Sequence, residues 1–106
     1  MIWKIGFMFI GVVKFNLYME GNRSLKDKRQ QVKSLIKKVN SKFPNISIAE
    51  VDSLDLWNKA TIGFCFVSNN SKFVNSVVDQ VFLYIESFVS NYISDKDMEI
   101  ISFKGD

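Results

Sequence analysis

The residues best placed to do chemistry in this chain are its lysines and arginines. Eight of the fourteen basic residues lie between positions 23 and 42: Arg23, Lys26, Lys28, Arg29, Lys33, Lys37, Lys38 and Lys42. Only Asp27 opposes them there, so this window carries +7 and the rest of the chain −4, an asymmetry hidden in a net charge of +3. A short basic element on an otherwise acidic chain is the electrostatic footprint of a surface for an anionic partner. Arg29, Lys33 and Lys37 recur every four residues, which on a helix makes a ladder rising about 6 Å per step, comparable with the phosphate spacing of a nucleic-acid strand. Lys26 shares that flank of the helical wheel, while Lys38 and Lys42 take the other. An ordinary solvated helix interleaves both signs and gains from the pairs, and here the acidic half of such pairs is nearly missing.

The remaining reactive side chains are few. Glu50, Asp52 and Asp55 place three carboxylates within six residues at the end of an apolar run. Such a cluster holds Mg²⁺ through one or two carboxylates and waters, discourages edge-to-edge strand pairing, or answers the basic helix. Lys28 falls on the wheel between Leu35 and Val39, where an ammonium without a partner is costly. It either snorkels past the helix start or reaches Glu50, Asp52 or Asp55 as a structural pair, and a structural role is expected. Cys65 sits mid-strand with no adjacent basic residue, which predicts a packed, unreactive thiol. Trp57 is a rim anchor for the core or a stacking platform for a base, with packing expected.

Composition closes several routes. With no His, every mechanism using an imidazole base or ligand is excluded, and one Cys excludes a disulfide framework and a cysteine-rich zinc site. Gly6 and Gly11 lack the lysine and hydroxyl of a phosphate loop. No catalytic residue, metal or cofactor is expected, nor a small-molecule substrate.

These residues must be held by one domain spanning 1–106, since 106 residues at 47% hydrophobic suffice for one core and not two. Lys4 precedes the apolar run Ile5 to Val13, which is far too short for a membrane span. Lys14 and Asn16 interrupt the apolar character beyond Val13 and no small-residue cleavage site appears, so the stretch reads as the start of a strand in a cytoplasmic protein. Residues 1–7 look like an N-terminal extension, with Met8 an alternative start or the extension lengthening the first strand.

From Val13 the chain alternates, with Val13, Phe15, Leu17 and Met19 on one face, the mark of a half-buried strand. Ser24 followed by Asp27 is an acidic variant of the capping box and opens a helix. Its apolar arc comprises Leu25, Val32, Leu35, Ile36, Val39 and Phe43, and Pro44 ends it. Ile46 to Leu54 reads as a second strand, with Ile46, Ile48, Glu50 and Asp52 sharing one face. Asp55 marks a tight connection to a third strand, Trp57 to Val67, which turns Ala60, Ile62, Phe64 and Phe66 inward. A second helix, capped near Ser68 to Asn70, carries a wide apolar arc from Phe73 to Val89. Asp95 to Asp97 open a last strand, Met98 to Phe103. The order βαββαβ predicts a ferredoxin-like α+β fold, a four-stranded antiparallel sheet with both helices on one face.

The outward residues of the first and third strands, Lys14, Asn16, Thr61, Gly63 and Cys65, include no aromatic pair, which argues against base stacking on the sheet. With Ile46, Ile48 and Val67 also read as outward, that face is sticky enough to predict a homodimer through the sheet or its edge.

The segments Ser24-Leu25-Lys26-Asp27-Lys28-Arg29, Val32-Lys33-Ser34-Leu35, Ser47-Ile48-Ala49-Glu50-Val51-Asp52 and Asp55-Leu56-Trp57, with Ala60 and Gly63, resemble the YlxP-like family of small bacterial proteins of unknown function. The resemblance runs from about Met8 to Phe103. It implies a ferredoxin-like fold, and the family's association with translation and ribosome-maturation gene clusters implies a ribosomal or RNA partner. It supplies no catalytic residues. Leu54 departs from the polar residue expected before Asp55, and Asn58-Lys59 from a common Gln-Arg pair.

Together these readings predict a non-enzymatic, RNA- or ribosome-associated protein. Arg29, Lys33 and Lys37 are the central phosphate contacts, flanked by Arg23, Lys26 and Lys38. The alternatives are a homodimeric interaction module docking on an acidic protein, and a Mg²⁺-dependent enzyme using Glu50, Asp52 and Asp55.

Overall fold

The computed structural model describes residues 6–89 and 92–104. Its six elements are, in order, β1 (Phe7–Tyr18), α1 (Leu25–Lys42), β2 (Ser47–Asp52), β3 (Lys59–Ser68), α2 (Ser71–Val89) and β4 (Ile93–Lys104). The strands form one antiparallel sheet in the order β2-β3-β1-β4. Both helices pack on the same face of it, giving the ferredoxin-like α+β architecture that the sequence predicts.

The local chemistry of each element is visible. Val13, Phe15, Leu17 and Met19 alternate into the core. At the start of α1, Ser24 Oγ accepts a hydrogen bond from Asp27 N at 3.1 Å, and Asp27 Oδ2 accepts one from Arg23 N at 3.2 Å. The cap therefore satisfies a helix donor that would otherwise lack a partner. Asn70 Oδ1 accepts from Phe73 N at 3.0 Å and caps α2 in the same way. Between the layers, Val39, Val74, Val81 and Ile85 are fully buried, and Phe15 meets Phe82 edge to face at 5.5 Å. Gly11 lets α2 come close to β1, because a Cβ there would lie 2.7 Å from side-chain carbons of both Val74 and Val78.

Three strand boundaries shift by two residues or more from the sequence reading, each beside a backbone irregularity, and the facing of β2 differs as well. β2 stops at Asp52 rather than Leu54, and β3 begins at Lys59 rather than Trp57, because Ser53 turns into the left-handed region at φ 61°. β4 begins at Ile93 rather than Met98, so Asp95 to Asp97 lie within the strand. A bulge absorbs them: the β1–β4 register shifts between Lys14 and Asn16, with Asp95 at φ 54°.

Ile46 and Ile48 do not point outward. Ile46 is buried, and Ile48 lies opposite the inward Phe64 and packs on the core. A register shift between Glu50 and Asp52 then separates those two carboxylates. Glu50 points, like Ile48, toward the helices, whereas Asp52 pairs with the outward Thr61, since one inserted residue reverses the facing of the strand beyond it.

Of the N-terminal stretch read as an extension, residues 1–5 lie outside the described residues, and Phe7 is already the first residue of β1. Among the described residues no helix is long and apolar enough to cross a membrane.

Candidate nucleic-acid interface

The basic residues of α1 fall into three structural groups. Lys28 is the inward one. Its side chain is fully buried, and Nζ donates to the backbone carbonyls of Ser53 at 2.7 Å, Leu54 at 3.1 Å and Lys59 at 3.2 Å. Three protons thus serve three carbonyls, and Glu50 Oε2, 2.8 Å from Nζ, balances the charge. This is the structural pair expected of Lys28, with Glu50 chosen from the three candidate carboxylates. It ties the N-terminal half of α1 to the loop between β2 and β3.

Lys38 and Lys42 form the second group, facing α2. Each ammonium lies 4.9 Å from an aromatic centroid, Lys38 over Phe88 and Lys42 over Tyr84. The rings themselves are stacked edge to face in the series Phe43, Tyr84 and Phe88.

The third group is Lys26, Arg29, Lys33 and Lys37, all exposed, with Lys37 also bordering a shallow cleft beside Tyr84 of α2. Arg23, also exposed, precedes the cap. Among the described residues Lys28–Glu50 is the only ion pair, so no carboxylate of the fold neutralises this ladder. The six residues predicted to meet phosphates are therefore all at the surface, but Lys38 is separated from the ladder by its engagement with α2.

The acidic cluster does not assemble. Glu50 is spent on Lys28, Asp52 Oδ1 accepts from Ser53 N at 2.7 Å, and Asp55 lies in the exposed loop. Among the described residues no three His, Cys, Asp or Glu side chains are grouped to hold a metal ion.

Residues 10–100 match the family described as "Protein of unknown function (DUF503)". The chain belongs to that family. It is also similar to "Uncharacterized protein YlxP" of Bacillus subtilis (strain 168), 34% identical over 65 residues, or 61% of this chain and 70% of that protein. The YlxP-like resemblance read from the motifs is thus shown. Among solved structures it is similar to the de novo designed protein Foldit4, with a TM-score of 0.51 at 8% identity over 91% of this chain and 96% of that one. That likeness concerns the fold alone.

Two further features of this DUF503 chain could not be read from spacing, since each is assembled from distant segments. One is a cleft of about 570 Å³ between α1, the end of β1 and the end of α2, lined in part by Asn22, Gln30, Gln31, Lys38, Phe88 and Tyr92. Asn22 is buried there, accepting from Gln31 Nε2 at 2.8 Å and donating to the Trp57 carbonyl at 3.3 Å. Trp57 itself is exposed, so its backbone rather than its ring anchors this rim.

The other is a chain of hydrogen bonds across the outer face of the sheet. Asn16 Nδ2 donates to Asp95 Oδ2 at 2.9 Å, Thr61 Oγ1 donates to Asn16 Oδ1 at 2.8 Å, and the Ser53 and Thr61 hydroxyls lie 3.0 Å apart. The Asn16 bond, helped by one from Ser94, holds the Asp95 carboxyl below the usual aspartate range, with Lys59 adding a smaller coulombic contribution and desolvation opposing.

Proposed function

We propose that this protein is a cytoplasmic, non-enzymatic RNA-associated protein that lays the exposed flank of α1 along the phosphates of ribosomal or other structured RNA. The observation that carries this reading is the unneutralised ladder. Lys26, Arg29, Lys33 and Lys37 are exposed and unpaired among the described residues, while the inward Lys28 has a buried counter-ion. A fold that matches its buried cation with a carboxylate yet leaves a row of surface cations free presents that positive charge to solvent, where an anionic partner can meet it. Arg29, Lys33 and Lys37 supply the central contacts, with Lys26 and Arg23 flanking. Lys38 is a peripheral contact, since its ammonium is already over Phe88.

Binding of this kind is mainly counter-ion release. With roughly four phosphates neutralised, log K falls against log salt with a slope of about −3 to −4. The test is co-sedimentation of the purified protein with ribosomal subunits at low and moderate salt, beside a folded Arg29→Glu, Lys33→Glu, Lys37→Glu variant. Selective binding that the variant loses supports the reading. No binding by the unmodified protein at either salt sinks it and turns attention to an acidic protein partner for the same flank.

A further inference from the structure

We propose that the outer face of the sheet, at the end where β1 and β4 run together, is the interface between two copies of this chain. The helices cover only the opposite face. In β1 the outward residues at this end are Met8, Ile10 and Val12, and the antiparallel register sets Phe103 beside Met8 and both Ile101 and Val67 beside Ile10. Phe103 is 59% exposed, Val67 49% and Ile101 40%, so a contiguous apolar surface faces water where a monomer gains nothing from it.

The strand ends sharpen the point. The last pairing of β1 with β3 is Phe9 with Ser68, but β1 continues beside β4 to the pair Phe7 with Lys104. Phe7 stacks on Phe9 at 6.1 Å, on the side opposite Met8 and Phe103. A two-stranded end that is apolar on both sides is marginal in water without something packed on it.

Charge selects a second copy as that something. An isologous contact needs a surface complementary to itself. The α1 flank fails this condition, being uniformly positive. The outer sheet face meets it: Glu99 sits beside Val12 and Asp97 beside Lys14, so the apolar patch is bordered by both signs and a two-fold axis can set the Lys14 of one copy against the acids of the other. A dimer joined there carries its two α1 flanks outward on opposite sides, so it leaves the RNA reading untouched and its test is separate.

Sedimentation of the full-length chain across a broad micromolar range tests the proposal, with Val67→Glu and Ile101→Glu made separately and checked for folding by circular dichroism. The expected result is a dimer whose dissociation constant rises by at least about thirty-fold in each variant, the loss of a central contact. A readout free of any substitution uses Cys65, the one cysteine, which is half-buried rather than fully packed and lies on this face beside Val12. Its alkylation by iodoacetamide slows as the protein is concentrated if the face is covered by a second copy. A chain that stays monomeric with concentration-independent alkylation overturns the proposal, as does a dimer that both variants leave intact.

Discussion

Lys28 Nζ lies 2.8 Å from Glu50 Oε2, joining a fully buried helix residue to a strand residue whose side chain is only 12% exposed. The pair also explains the shape of the loop after β2. Three carbonyls of residues 53, 54 and 59 converge on the same ammonium, so the chain from Ser53 to Lys59 wraps around a cation supplied by α1. Without that cation the carbonyls would face a low-dielectric interior with their hydrogen bonds unmade.

Lys28→Met therefore keeps most of the volume but leaves Glu50 without its counter-ion and three carbonyls without a donor. The expected loss is about 3–5 kcal/mol of folding free energy. Glu50→Gln costs less, about 1–3 kcal/mol, because the carbonyl bonds persist. Equilibrium denaturation in urea measures both, and a Lys28→Met variant as stable as the unmodified chain would show that the pair contributes nothing.

The ladder and the seam of α1 make different demands on a lysine. Removing one ladder cation, as in Lys33→Ala, should lower the steepness of the log K against log salt plot by about one and leave stability unchanged. Lys38→Ala should do the reverse: a smaller change in slope, and a loss of about 0.5–1 kcal/mol from the contact with Phe88. Equal slopes for the two variants would erase the distinction between the flanks.

Most of the fold was legible because its signals are local. The Ser24 and Asn70 caps, the alternation from Val13 to Met19 and the break at Pro44 each depend on neighbours a few residues away. The facing of Ile46 and Ile48 was not legible, since it is set by the register against Phe64 and by the shift beyond Glu50. Nor was the early start of β4 at Ile93, ahead of the Asp95 to Asp97 segment read as opening the strand, because it depends on Asp95 being placed against Asn16, 79 positions earlier. The candidate site divides in the same way. The exposed ladder is implied by spacing along one helix, whereas the withdrawal of Lys38 depends on where Phe88 arrives from α2.

Close approach of layers at Gly11 gives a sharper packing test than any surface change. A methyl group there would sit 2.7 Å from carbons of Val74 and Val78, so either α2 or β1 must move. Gly11→Ala should destabilise by about 1–3 kcal/mol. Adding Val78→Ala opens space on one side, and the double variant should lose less than the sum of the two single losses by at least about 0.5 kcal/mol. Strict additivity in thermal unfolding would mean that the two positions do not share a contact.

Asp95 links the outer hydrogen-bond chain to pH. Its carboxyl is held below the usual aspartate range chiefly by the Asn16 bond, then by Ser94. A group whose folded value is depressed adds stability above its unfolded value, and that stability is lost as pH falls through the folded value. The window is therefore the acid limb below the usual aspartate range, and neutral pH lies on its plateau. Asn16→Ala removes the largest cause, so Asp95 should titrate at higher pH, closer to its unfolded value, and the acid limb should become shallower. Ser94→Ala should shift it in the same direction by less. Carbon-detected NMR titration of the Asp95 carboxyl reads these shifts directly. An Asp95 that titrates identically in the Asn16→Ala variant would mean that the bond across the β1–β4 bulge does not form in solution.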